Sequence, residues 1–98
     1  MSDLLARLEA TVAQRLQDLP AGSYITELSK AGHHMMATTL VEKSYQLVEA
    51  CALEESGTPG DIPHSAADLL FHWMVLLKAT GHDVASVERE LVRRFDVS

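Results

Sequence analysis

Ser65, Asp68 and His72 follow one another at intervals of three and four residues, so on a helix they share one face. That face lies in an otherwise apolar stretch, where a carboxylate and an imidazole can pair with each other or bind a cation. A second polar stripe, Glu42, Gln46 and Glu49, sits at helical spacing on the preceding stretch. If the two faces meet, they form a polar pocket inside a helical bundle, as in metal sites built into bundle cores. An unpaired Asp68 buried there is costly and calls for a hydrogen-bond partner, a cation or water. The plainer reading is that His72 pairs with Asp68 as a satisfied buried couple.

Other chemistry-bearing residues carry less. His33, His34, His64, His72 and His82 are many for 98 residues, yet no His-x-x-His or His-x-x-x-His pair occurs. A transition-metal site drawn from Glu42, Asp68 and His72, with Glu49 or His64 nearby, is geometrically imaginable. Scattered surface or capping histidines are the simpler account. His33-His34-Met35-Met36 opens a helix and reads as packing. Cys51 falls on an apolar stripe with no catalytic base in its pattern, so it reads as a core thiol. Trp73 and Tyr45 read as core or dimer contacts.

Helices must position these groups. The first is expected from Asp3 to Asp18, with Ser2 as its N-cap and Leu5, Leu8, Val12 and Leu16 on one side. Pro20-Ala21-Gly22 breaks it, Ser23 caps a short helix from Tyr24 to Ala31, and Gly32 ends that one. His33 to Glu55 contains no Pro or Gly, and Leu40, Val41, Tyr45, Leu47, Val48, Cys51 and Ala52 form a broad apolar stripe. Ser56-Gly57-Thr58-Pro59-Gly60 is the clearest loop. Pro63 suits the first turn of a helix running to Thr80, stopped by Gly81. With Leu69, Leu70, Phe71, Trp73, Met74, Val75, Leu76 and Leu77, that helix is apolar nearly all round and is expected to be the most buried. Asp83 caps a last helix, Val84 to Phe95, whose Arg93 and Arg94 suit its negative end. The fold class is all-α, with two long central helices packed antiparallel across the glycine-rich loop.

Composition sets the outer bounds. A chain of 98 residues is expected to form one domain, residues 1–98, with a marginal core of its own. Its 47% apolar content exceeds what such a core easily buries, which favours a homodimer. A formal net charge of −6 argues against nucleic acid. No apolar run approaches the roughly 20 residues of a membrane span. A lone cysteine and the absence of a signal-like start in Met1-Ser2-Asp3 lead to the expectation of a cytoplasmic protein.

Three segments carry a family resemblance. Pro20-x-Gly22-Ser23-Tyr24-x-x-x-Leu28-x-x-x-Gly32, with Leu8-Glu9 and Arg15 upstream, resembles the start of phosphoribosyl-ATP pyrophosphohydrolase, an enzyme of histidine biosynthesis. Ala66-Ala67-Asp68-Leu69-Leu70-Phe71-His72-x-x-Val75-Leu76-Leu77 resembles its second signature helix, and Gly81-x-Asp83-Val84-x-x-Val87-x-x-Glu90-Leu91-x-x-Arg94 its closing segment. The match spans nearly the whole chain in order and spacing. It implies the helical bundle of the all-α nucleotide pyrophosphatases, an interlocked dimer, and Mg²⁺ held by carboxylates to cleave the α–β phosphate bond of phosphoribosyl-ATP. In the resembling segments Arg15, Ser23 and Tyr24 are ligand-contact candidates, with Tyr24 alternatively anchoring the first helices; Lys43 and His72 are candidates on their own chemistry.

The carboxylates are where the chain departs from that pattern. The family's Glu-Glu-x-x-Glu run falls on Glu42-Lys43-x-x-Gln46, and its Glu-x-x-Asp run on Ser65-x-x-Asp68. Glu42 and Asp68 survive, Gln46 and Ser65 stand at substituted ligand positions, and Lys43 turns an anion into a cation. Lysines that usually precede the first run fall at Thr38 and Thr39. The local formal charge thereby moves from −5 to −1. At an effective dielectric of about 20, each unit charge ~4 Å from a divalent ion is worth several kcal/mol before solvation costs. Mg²⁺ is therefore expected to bind weakly or not at all, and Lys43 is free to pair with Asp68 or Glu42, or to receive a phosphate directly.

Overall fold

The computed structural model describes residues 2–95. Five helices follow in chain order: α1 Ser2–Asp18, α2 Tyr24–Ala31, α3 His33–Glu55, α4 Ile62–Ala79 and α5 Val84–Phe95. Among the described residues all regular structure is helical. The punctuation falls where Pro and Gly require it. Gly32 alone separates α2 from α3, at φ +94°, a conformation that side chains resist. α4 begins one residue before Pro63 because Asp61 caps it, accepting a hydrogen bond from the His64 amide at 3.2 Å. Asp83 caps α5 in the same way through the Ser86 amide, at 2.9 Å.

Ser23 occupies the N-cap position of α2 but does not cap it with its side chain. Thr26 closes that turn instead, donating its hydroxyl to the Pro20 carbonyl at 2.8 Å. Ser23 contributes only backbone bonds there, and its Oγ is buried without a partner. A capping role for the Ser2 side chain lies outside the described side chains.

α3 and α4 form the main packing unit, with α1 against α4 and α2 bridging α1 and α3. Ala50 meets Gly60, and Lys43 meets Asp68 further from the loop, so the two long helices run antiparallel. Every helix feeds the core: Val12 from α1, Ile25 and Leu28 from α2, Met36 from α3, Met74 and Val75 from α4, Val84 from α5. Burying such a side chain contributes about 1.5–3 kcal/mol. Phe71, Trp73, Leu76 and Leu77 pack around that cluster, which makes α4 the central helix.

The α3 stripe behaves otherwise. Val41, Tyr45 and Val48 are 69%, 65% and 62% exposed, and Cys51 is exposed rather than a core thiol. Twenty-three residues make a rod of about 34 Å, and α2 and α4 cover one side of it. Among the described residues nothing packs against the opposite face. Among the described residues, too, no helix is long and apolar enough to cross a membrane.

Candidate functional site

Four side chains from three helices converge on the inner faces of α2, α3 and α4. Asp68 and His72 stand one turn apart on α4, Lys43 reaches across from α3, and Tyr24 comes from the first turn of α2. The Lys43 Nζ lies 3.0 Å from Asp68 Oδ2, with the two side chains 21% and 32% exposed. The other carboxylate oxygen, Oδ1, is 3.5 Å from His72 Nδ1.

His72 is buried at 4% exposure, and its surroundings fix its tautomer. Nδ1 is 2.7 Å from the Asp68 backbone carbonyl, which can only accept, so Nδ1 carries the proton. In the neutral ring Nε2 is then an acceptor, and it lies 2.8 Å from the Tyr24 hydroxyl, which donates to it. The Tyr24 ring meets His72 edge-on at 5.5 Å and stacks on Phe71 at 6.3 Å. This chain of contacts ties the Gly22-Ser23-Tyr24 turn to α4 and sets the imidazole beside the Lys43–Asp68 pair.

The pair also sets its own protonation. The hydrogen bond from Lys43 is the largest influence on Asp68 and holds its carboxyl below the usual carboxylate range, against partial desolvation. Reciprocally, the bond to Asp68 raises Lys43 above its ordinary value. Both groups are therefore charged throughout the neutral range.

The remaining sequence candidates are placed elsewhere or make no such contact. Glu42 and Gln46 are exposed and line a shallow depression on the outer side of α3 with Thr38, Val41, Tyr45 and Glu49. The polar stripe of α3 thus faces solvent, and Lys43, not Glu42, reaches Asp68. Ser65 is half-buried one turn before Asp68. Arg15 is exposed in the last turn of α1. Among the described residues, no three His, Cys, Asp or Glu side chains are grouped to hold a metal ion.

Sequence reasoning quotes Glu9 only within the family resemblance and gives it no role. Its Oε2 accepts from Lys78 Nζ at 3.1 Å and from the Val84 amide at 2.8 Å, tying α1 to both α4 and the start of α5. The available signal was its position, four residues after Leu5 and three before Val12, on the flank of the apolar stripe.

Comparisons with known proteins agree with this architecture. The family profile of phosphoribosyl-ATP pyrophosphohydrolase matches residues 5–95. A phosphoribosyl-ATP pyrophosphatase of Ignicoccus hospitalis is 37% identical over 94 residues, covering 96% of this chain and 89% of that protein. One from Novosphingobium aromaticivorans is 39% identical over 92 residues, covering 94% and 83%. One from Metallosphaera sedula is 35% identical over 94 residues, covering 96% and 98%. No solved structure gives a significant match. Helices, their order and a match running almost end to end place the chain in one family: it belongs to the phosphoribosyl-ATP pyrophosphohydrolases.

Proposed function

We propose that this chain keeps the phosphoribosyl-ATP pyrophosphohydrolase scaffold while its Mg²⁺-dependent hydrolysis is lost or severely reduced. The observation that carries this is the Lys43 ammonium, 3.0 Å from the one acid retained at the inner position, Asp68. Mg²⁺ asks for near-octahedral oxygen ligands, mostly from carboxylates, phosphates and water. Here Asp68 already faces a lysine and a histidine, Glu42 lies on the exposed side of α3, and Gln46 and Ser65 bring no charge. The residues at these positions do not fit the ion.

A second reading, an active divergent phosphoribosyl-ATP pyrophosphohydrolase, draws support from 35–39% identity to proteins named for that activity. The two separate in one assay. Pyrophosphate release from phosphoribosyl-ATP and from common nucleoside triphosphates is measured with Mg²⁺ or Mn²⁺, alongside Asp68→Asn. The expected result is release at or near the blank. Robust turnover that vanishes in Asp68→Asn would overturn the proposal in favour of the second reading.

The reading includes a homodimer. Val41, Tyr45 and Val48 make an exposed apolar face on α3, and an exposed apolar patch of that kind is commonly covered by a second copy. Analytical ultracentrifugation at micromolar concentration is expected to give a dimer, and a Tyr45→Asp variant a monomer. A monomeric parent protein would end this part of the proposal.

A further inference from the structure

We propose that Lys43 serves as a resident cation, so that phosphate-bearing ligands bind this site through its ammonium without a divalent metal. The inference rests on the preceding reading and adds the ligand class and the binding mode. An ammonium has three N–H donors, and Asp68 is the one ion-pair partner of Lys43 among the described residues. The one carboxylate contact leaves N–H donors of the ammonium over for an incoming anion, on a side chain that is 21% exposed. Lysine is a compact charge that binds phosphate as a point cation, with no demand for planar geometry. Because it is tethered by its own helix, the positive charge is present in every molecule, whatever the concentration of free metal.

The surroundings favour an anion held at Lys43 over a metal held at Asp68. A metal entering at Asp68 must displace the ammonium and face His72 on the other carboxylate oxygen. A phosphate can approach the ammonium from the solvent side and leave the Asp68 contact intact. Glu42, adjacent in sequence and exposed, is the nearby anion that opposes it. The pair is electrically neutral, and Glu42, on the outer side of α3, leaves a residual negative field that the direct ammonium contact has to overcome.

The test uses the full chain and inorganic pyrophosphate, with binding read by isothermal titration and by thermal unfolding, in EDTA and then in excess Mg²⁺. The expected result is binding in EDTA that excess Mg²⁺ weakens, because magnesium pyrophosphate carries less charge. Lys43→Gln is expected to lose at least about tenfold in affinity, Lys43→Arg to retain binding, and Glu42→Gln to bind more tightly. Circular dichroism checks that each variant is folded, and the exposed Glu42→Gln keeps the test open if Lys43→Gln does not fold. No binding in EDTA, binding that requires Mg²⁺, or affinity indifferent to both positions would overturn the inference. Metal-dependent turnover together with pyrophosphate binding in EDTA would remove the preceding proposal alone; turnover without that binding would remove both.

Discussion

A double-mutant cycle on Lys43 and Asp68 measures the interaction on which the site depends. At 3.0 Å and an effective dielectric of about 20, the gross attraction between the two charges is about 5–6 kcal/mol. Desolvation and side-chain ordering remove most of it. Fully exposed pairs retain 0.2–1 kcal/mol, whereas breaking fully buried ones costs 3–5 kcal/mol. With side chains a fifth to a third exposed, the coupling is expected at ~1–2 kcal/mol, from urea unfolding of the parent, Lys43→Gln, Asp68→Asn and the double variant near neutral pH. The pH dependence has a definite sign. Asp68 is depressed in the folded state, so its share of stability is complete above the unfolded carboxylate value of about 3.9 and is lost as pH falls through the lower folded value. Lys43 is raised, so its share is complete below about 10.4 and is lost as pH rises through the higher folded value. The coupling therefore holds a plateau between these limits and disappears in strong acid. A neutral-pH coupling under about 0.3 kcal/mol, or one unchanged at pH ~2, would refute the reasoning.

Four further outcomes are expected. Tyr24→Phe leaves His72 Nε2 buried without its donor and is expected to cost about 1–3 kcal/mol in chemical denaturation. Glu9→Gln removes the charge that holds Lys78 and weakens the bond to the Val84 amide; a loss of about 1.5–3 kcal/mol and a lower Tm should follow. Gly60→Ala would drive a Cβ into the Ala50 carbonyl oxygen, so the α3–α4 hairpin has to shift; a loss of more than about 2 kcal/mol is expected by thermal unfolding. Restoring acids with Lys43→Glu, Gln46→Glu and Ser65→Glu together is expected to tighten Mn²⁺ binding by at least about tenfold, read by titration calorimetry.

Much of this was legible in the residues, and the failures have physical causes. Pro20, Gly22, Gly32, the Ser56–Gly60 loop and Gly81 mark the helix ends, since each is a residue whose backbone freedom or restriction dictates a break. Asp61, two residues before Pro63, is the readable signal for the start of α4 that Pro63 alone does not give. The pairing of Lys43 with Asp68 stood among the options because charge demands a partner, but periodicity alone left Glu42 as an equal candidate. Which of two adjacent residues turns inward depends on the rotation of α3 against α4, a tertiary quantity. The Tyr24–His72 bond joins residues 48 apart, and no local pattern announces it. The α3 stripe shows the limit of hydrophobicity as a guide: Val41, Tyr45, Val48 and Cys51 are apolar, but only the arrangement of the other helices decides which side of a long rod they cover.

The Glu9 carboxylate has a consequence for how the molecule opens. It joins residues 75 apart, and a contact that closes so long a loop carries a large entropic cost until the helices between are already in place. Beyond Val84 the last helix offers little to the core, with Leu91, Val92 and Phe95 all exposed by 43% or more. α5 is therefore the natural first step of sub-global unfolding: it is held by Val84 in the core and by the Glu9 carboxylate, and losing both frees it while the α3–α4 hairpin stays folded.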